Sequence, residues 1–187
     1  MATQYPEISP YLQSFMEEQK IFFVGTAAAD GRVNVSPKGM DSFRVLGPNR
    51  IIWLNLTGSG NESAAHVLEN GRMTIMFCAF EGKPMILRLY GKARPVHVGE
   101  DGWDELYAHF PDQGGRRQIF DLQVDLVQTS CGYAVPLYDY KEDRDILKKW
   151  ADEKGPEEVQ AYWEKKNLTT IDGKDTGMQQ ALDQLKK

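Results

Sequence analysis

Residues 50–80 read RIIWLNLTGSGNESAAHVLENGRMTIMFCAF, and this stretch decides the fold. Its two ends are apolar runs rich in β-branched and aromatic residues, which are typical of buried strands. Between them, a loop with two glycines leads into a short segment of helical character. That segment stops at Asn70-Gly71, where glycine can adopt the left-handed conformation of a helix C-terminus. We therefore predict a strand, a loop, a short helix and a second strand.

The loop TGSGN has the composition of a phosphate-binding loop but matches neither named motif. A P-loop requires a lysine after its second glycine, and the dinucleotide fingerprint requires a third glycine where Ser63 stands. Ser59 and Glu62 fit a capping box, which predicts Ser59 as the N-cap of the helix. The N–H groups of Gly60 and Asn61 would then lie at the positive helix end, where anions bind. The alternative is that Ser59 and Glu62 use these donors themselves.

Outward from this stretch, the chain alternates short strands with tight turns. Five further apolar or alternating runs predict strands at 21–28, 32–36, 42–46, 85–98 and 120–135. The dipeptide Asp30-Gly31 is a strong hairpin signal, and helical patterns occur near 9–19 and 99–110. Strands joined by hairpins favour an antiparallel barrel over a doubly wound sheet.

The last part of the chain changes character. From Lys141, the segment KEDRDILKKWADEKGPEEVQAYWEKKN predicts two charged amphipathic helices that are interrupted at Gly155-Pro156. We therefore divide the chain into a barrel domain, residues 1–140, and a helical extension, residues 141–187, which we expect to pack on the barrel.

Composition argues against several classes of protein. The net charge is −5, with 22 basic and 27 acidic residues spread evenly, which argues against a nucleic-acid partner. Three scattered histidines and two cysteines without paired spacing give no support to a metal site, so we expect two buried thiols. No apolar run approaches the roughly 18 residues of a membrane span. Because the first residues also lack the pattern of a secretion signal, we expect a cytoplasmic protein with no membrane partner.

Three other segments hold candidate ligand contacts. Lys38, where a strand ends in Ser-Pro, could contact a phosphate or be a solvated hairpin lysine. Arg88, inside MILRLYG, either faces solvent by alternation or pairs with an anion. Small residues at Ser130, Cys131 and Gly132 would let a flat ligand approach the backbone, and the alternative is a β-bulge. No Ser-His-Asp or Cys-His constellation can be assembled, so we assign no catalytic residue and expect a cofactor to supply any chemistry.

A family resemblance covers most of residues 20–173. The segments that carry it are the 50–80 stretch, VNVSPKGMDSF, ILRLYGKARPV, and QTSCGYAVPLYDY with the later KKNLTTIDG. In this order they resemble the pyridoxamine 5′-phosphate oxidase-like family of FMN-binding split barrels, and most closely a subgroup with a helical C-terminal extension. The resemblance implies a mainly β fold with inserted helices. It also implies a six-stranded antiparallel split barrel that forms a homodimer, with two FMN sites at the interface.

The same resemblance implies which residues contact the cofactor. Those on the first flavin-contacting strand are Val35, Ser36 and Lys38. Those on the second strand and its phosphate loop are Leu54, Asn55, Thr57, Ser59, Gly60 and Asn61. Arg88 falls near the flavin edge, and the last barrel strand could approach the ring, from the same or the partner chain, through Ser130, Cys131 and Gly132.

Two departures from the family pattern bear on function. True pyridoxamine phosphate oxidases carry a Gly-Ser-Arg-Lys phosphate clamp and an Arg-x-His substrate motif. Here Gly60-Asn61 follows Ser59, and the final residues read TTIDGKDTGMQQALDQLKK. We therefore expect an FMN-dependent oxidoreductase that acts on an unidentified small molecule and is not a vitamin B6 oxidase.

Three alternatives to this prediction stay open. The chain could be a non-catalytic flavin-binding or storage protein, or a dimerisation module with an empty cleft. It could also be a split barrel that binds deazaflavin or haem. A haem would require an axial histidine, for which His66 in the helix after the loop is the candidate.

Overall fold

The computed structural model describes residues 2–186. The strands, in chain order, are β1 Thr3–Tyr5, β2 Phe22–Thr26, β3 Asn34–Lys38, β4 Phe43–Gly47, β5 Arg50–Leu56, β6 Arg72–Cys78, β7 Ile86–His97 and β8 Arg116–Ser130. The helices are α1 Pro10–Glu18, α2 Glu62–Asn70, α3 Trp103–Tyr107, α4 Ile146–Lys166 and α5 Met178–Leu185. No helix within residues 2–186 combines the length and the apolar composition that a membrane crossing requires.

These strands form one antiparallel sheet in the order β3-β2-β6-β7-β8-β5-β4. Strand β1 pairs with residues 127–129 of β8, beyond the part of β8 that pairs with β5. The two ends of this order, β3 and β4, are joined in the chain by residues 39–42 only. The sheet therefore curls back toward itself and stays open between β3 and β4, which is the arrangement of a split barrel. The predicted fold class, an antiparallel split barrel with a helical C-terminal extension, is confirmed.

The strand count and some boundaries differ from the sequence predictions. The structure has one strand more than the seven predicted from the sequence. The additional strand is β1, whose three residues are too few to show an alternating pattern. Strand β8 begins at Arg116 and ends at Ser130, so the predicted range 120–135 was shifted. Cys131 consequently lies beyond the strand and is exposed, whereas Cys78 is buried as expected.

The barrel interior holds the main hydrophobic core. The rings of Trp53 and Phe120 stack there with centroids 4.8 Å apart, and helix α1 covers one end of the core. That helix starts where Ser9-Pro10 predicted it, because the Ser9 hydroxyl accepts a hydrogen bond from the Leu12 N–H at 3.3 Å.

Helix α2 begins two residues later than predicted. Its N-cap is Asn61, not Ser59, and no side chain caps its first turn. The capping-box prediction was wrong because the observed N-cap Asn61 and the capping-box residue Glu62 have tertiary partners. The Asn61 amide oxygen accepts a hydrogen bond from Gln118, and the Glu62 carboxylate accepts one from the backbone of Ile171. The predicted left-handed C-cap at Gly71 is confirmed, with φ of 73°.

The C-terminal extension packs through an apolar cluster between α4 and α5. Val159 and Trp163 of α4 contact Met178 and Leu182 of α5 there, and Val98, after β7, packs against the cluster. The predicted interruption is confirmed, since the backbone of Gly155 is non-helical inside α4. The division of the chain at residue 140 stays a prediction.

Candidate functional site

A cavity of about 370 Å³ lies where β3, β5 and the start of α2 meet, and we call it the α2 cavity. Strand β3 contributes side chains from one of its two faces, because alternate residues of a strand point in opposite directions. Six residues predicted from the sequence line the cavity, namely Ser36, Lys38, Asn55, Ser59, Gly60 and Asn61. Folding thus brings the two predicted flavin-contacting strands and the predicted phosphate loop together.

Three predicted residues lie around the cavity but do not line it. Thr57 is buried beneath the loop, where its hydroxyl donates to the Gly115 carbonyl at 2.8 Å. Leu54 is fully buried in a second apolar cluster behind the cavity. Val35 is 67% exposed on the other face of β3.

The remaining predicted residues do not line the α2 cavity. Arg88 donates a hydrogen bond to the Ser130 hydroxyl at 3.3 Å, where the start of β7 pairs with the end of β8. Through β6 and β2, the register places Arg88 three strand spacings, about 14 Å, from the residue before Lys38. Cys131 and Gly132 follow Ser130 directly, and a Cβ at Gly132 would lie 3.1 Å from the backbone of Met85.

Arg117 is the main cavity residue that the sequence did not predict. It is 2% exposed, and its Nη1 donates to the Gly60 carbonyl at 3.0 Å and to the Asn167 side-chain oxygen at 2.7 Å. Its Nε has no partner within residues 2–186. Burial lowers the pKa of Arg117 to about 9. Arg117 lies between the predicted helix at 99–110 and the predicted strand at 120–135, so nothing local indicated that it would be buried.

Lys38 is the second cation in the cavity wall. Its Nζ lies 5.2 Å from the ring centroid of Trp53. Burial, and after it the charge of Arg117, lowers the pKa of Lys38 to about 8. A buried arginine and a partly buried lysine, neither of which forms an ion pair with a carboxylate among the described residues, are unfavourable for the empty protein. The arrangement is therefore typical of a site that an anion completes.

Hydrogen-bond donors at the start of α2 add to this cationic environment. The first turn of the helix has no side-chain cap. The Ala64 N–H donates to the Asn61 carbonyl at 3.2 Å, and the N–H groups before it remain available at the positive end of the helix dipole. The Asn61 side-chain nitrogen is buried and has no partner among the described residues. Together with Arg117 and Lys38, these donors suit a phosphate group.

A series of polar side chains in contact leads from the cavity lining to His66. Asn34 donates to the Ser63 hydroxyl at 3.2 Å, and both residues line the cavity. Ser63 contacts Thr26, whose hydroxyl is 3.1 Å from Nδ1 of His66. His66 is 1% exposed and lies outside the cavity lining. An axial haem contact from the cavity to His66 would therefore require this wall to rearrange.

Comparison with known proteins places the chain in a family. Residues 8–131 match the family model described as pyridoxamine 5′-phosphate oxidase, which is more than half of the chain. The chain belongs to the pyridoxamine 5′-phosphate oxidase family. The matched range contains the whole β-sheet except β1, and it ends before α4. The extension therefore lies outside the matched range.

Individual relatives agree with this assignment. The chain is 38% identical over 148 residues to the pyridoxamine 5′-phosphate oxidase family protein ustO of Aspergillus flavus. The alignment covers 74% of this chain and 58% of ustO, so the chain spans little more than half the length of this curated relative.

Two solved structures resemble the fold. A HupZ variant from Group A Streptococcus superposes with a TM-score of 0.53 at 18% identity, covering 66% of this chain and 99% of HupZ. A putative pyridoxamine 5′-phosphate oxidase from Lactobacillus delbrueckii gives 0.51 at 18% identity, covering 66% of this chain and 94% of that chain. At these identities the likeness concerns the fold alone.

Proposed function

We propose that this member of the pyridoxamine 5′-phosphate oxidase family binds FMN, with the FMN phosphate in the α2 cavity. The observation that carries the proposal is Arg117, which is buried, has a free Nε and is paired with no carboxylate among the described residues. A phosphate monoester carries about −1.5 to −2 charges near neutral pH, and it would balance Arg117 and Lys38 together. Family membership and the predicted FMN contacts at this loop support the same ligand.

The residues present fit the phosphate even though the Arg-Lys part of the family clamp is missing. Arg117 supplies a cation from β8, and Lys38 supplies another from β3. Gly58 and Gly60 have no Cβ, so a ligand can approach the backbone of the loop closely. The unpartnered Asn61 side-chain nitrogen adds a neutral donor. These groups would bind and orient the phosphate.

The wider proposal is a flavin-dependent oxidoreductase that acts on a small molecule other than pyridoxamine phosphate. Bound FMN would supply the redox chemistry through its isoalloxazine ring, and we assign no catalytic side chain. We further propose a homodimer with FMN at the interface. The edge strand β3 supports it, because Val35 and the preceding Val33 are exposed there. Arg88 and residues 130–132 would then approach the flavin bound by the partner subunit.

The visible absorbance spectrum of the purified protein tests this proposal. After incubation with FMN and removal of free ligand, we expect a flavin spectrum and about one FMN per chain. Protein that stays colourless after this treatment would contradict the proposal. A haem or deazaflavin spectrum of the purified protein would show that the cofactor is not FMN. Addition of a nicotinamide electron donor to the FMN-loaded protein then distinguishes an oxidoreductase from a storage protein. Reduction of the bound flavin supports an oxidoreductase, whereas FMN binding without reduction supports a storage protein.

A further inference from the structure

The C-terminal extension contacts the phosphate loop directly. The Asn167 side-chain nitrogen donates to the Gly58 carbonyl at 3.1 Å, and its oxygen accepts from Arg117. The indole N–H of Trp163 donates to the Thr57 hydroxyl at 2.8 Å. Both extension residues lie beyond the range 8–131 that matches the family model.

Asn167 is held rigidly at the end of α4. It is completely buried, and its backbone N–H donates to the Trp163 carbonyl at 2.8 Å. Its own carbonyl accepts from the buried Thr176 hydroxyl at 2.5 Å. Because the main chain on both sides is fixed, the Asn167 amide reaches the loop in one orientation.

These contacts determine which way the loop peptides point. The carbonyls of Gly58 and Gly60 are bound by Asn167 and Arg117. In a trans peptide the carbonyl and the following N–H point in opposite directions. Fixing the two carbonyls therefore also fixes the N–H groups of Ser59 and Asn61.

The extension also holds the carboxylate of Glu62. Glu62 stands in the first turn of α2, where its carboxylate could occupy the donors that an anion would use. One of its oxygens accepts the backbone N–H of Ile171 at 3.3 Å. Both residues line the α2 cavity, so this bond fixes the carboxylate at the edge of the loop but does not remove it from the site.

We propose that residues 163–171 form a clasp that pre-organises the anion-binding loop, with Asn167 as its central positioning residue. Asn167 acts through Gly58 and Arg117 and binds no ligand itself. Ordering a loop with two glycines costs conformational entropy, and the clasp meets that cost before the ligand arrives. The proposal rests on the proposed function only in taking the α2 cavity as an anion site, whichever phosphate compound occupies it.

The test compares Asn167→Ala with Asn49→Ala in the full-length protein. Asn49 also bridges two carbonyls, those of Pro6 and Val124, but it lies away from the cavity. We expect Asn167→Ala to raise amide hydrogen exchange at residues 58–61 about tenfold and to weaken inorganic phosphate binding about tenfold. Asn49→Ala should change neither quantity.

Flavin ligands separate positioning from general destabilisation. Riboflavin lacks the phosphate, so Asn167→Ala should weaken FMN binding about tenfold and leave riboflavin binding unchanged. Equal losses for both flavins, or faster exchange throughout the sheet, would show a merely structural role and overturn the proposal. If Asn167→Ala does not fold, Trp163→Phe keeps the aromatic packing and removes one clasp bond. It should produce the same pattern at about threefold.

Because inorganic phosphate is the probe, the clasp proposal can be tested separately from the FMN proposal. If the wild type binds phosphate but no FMN, the proposed function fails, and the clasp is judged on phosphate affinity and exchange. Wild-type protein that binds neither ligand would overturn both proposals. Unchanged exchange and phosphate affinity in both clasp variants would overturn the clasp alone.

Discussion

Strand β8 carries two arginine sites that differ in how their charge is balanced. At one, Asp121 accepts two hydrogen bonds from Arg50, at 2.9 and 3.0 Å, and one from Arg94 at 3.1 Å. At the other, four residues earlier, Arg117 contacts only a carbonyl and an amide oxygen. The hydrogen bonds that Arg50 donates to Asp121 raise the pKa of Arg50, whereas burial lowers the pKa of Arg117 to about 9.

The difference supports the proposal that one site is structural and the other binds a ligand. Where the chain supplies its own carboxylate, the arginines remain partly in water, with side chains that are 39% and 60% exposed. Such a pair contributes modestly to stability. Where the chain buries an arginine completely and no described carboxylate pairs with it, the proposed phosphate would supply the missing charge. The following predictions test this contrast, in order of decreasing effect.

The largest effect should follow from Arg117→Gln. We expect FMN to bind about 100-fold more weakly, a loss of about 2.7 kcal/mol, because a charge-assisted contact to the phosphate is removed. Calorimetric titration with FMN measures it. The matched control is Arg94→Gln, which should change the affinity by less than about twofold. A loss below about threefold for Arg117→Gln would contradict the assignment of this residue to the ligand.

Asp121→Asn should have the opposite profile. The free energy of unfolding should fall by about 1–2 kcal/mol, because Arg50 and Arg94 lose their shared carboxylate but can turn toward water. Urea denaturation measures this change, and FMN affinity in the same variant should equal that of the wild type. Weaker FMN binding with unchanged stability would mean that this second site also serves the ligand.

Lys38→Ala should weaken FMN binding by at least about tenfold, which is about 1.4 kcal/mol. The Lys38 amine is the second cation of the cavity. In the absence of an anion, the positive charge of Arg117 lowers the pKa of this amine. Fluorescence titration of FMN measures the change. Lys92→Ala removes an exposed lysine that donates to the Asn70 carbonyl, and it serves as the control. Unchanged affinity would make Lys38 an ordinary surface lysine.

The smallest effect concerns pH. The pKa of Lys38 is lowered to about 8, below the usual 10.5, so the empty protein loses this proton as pH rises through that value. An anion binds the protonated amine, so FMN affinity should fall about fourfold between about pH 7 and about pH 8.5. The phosphate itself keeps its charge in this range, since its second pKa is about 6. Titrations at both pH values measure the decrease, most of which should disappear in Lys38→Ala, because Arg117, with a pKa of about 9, keeps most of its charge at about pH 8.5. A pH-independent wild type would contradict the role of Lys38.

Much of the fold could be predicted because its signals are local. Alternating apolar residues predicted seven strands, and Ser9, Gly71 and Gly155 marked helix ends or interruptions that the structure confirms. Helix α5 was not predicted, although Met178 and Leu182 have helical spacing, because polar residues dominate its surroundings. The capping box at Ser59 was wrong because the distant backbone of Ile171 binds the Glu62 side chain, and no local pattern contains that partner.

The candidate site divides in the same way. Lys38 and Gly60 could be named from the sequence, since each stands at a strand end or in a loop that the family pattern covers. Arg117 and Asn167 could not, because their importance comes from burial and from the groups that they meet.

The sequence by itself determined the alternating strands, the glycine loop and the helix after it, since propensity and turn chemistry act over a few neighbouring residues. The tertiary structure decided that Arg117 would be buried against Gly60, 57 residues away, without a carboxylate. It also decided that Asn167 would bind Gly58 across 109 residues. Burial removes water from a charged group, and only the tertiary structure determines which polar groups replace that water.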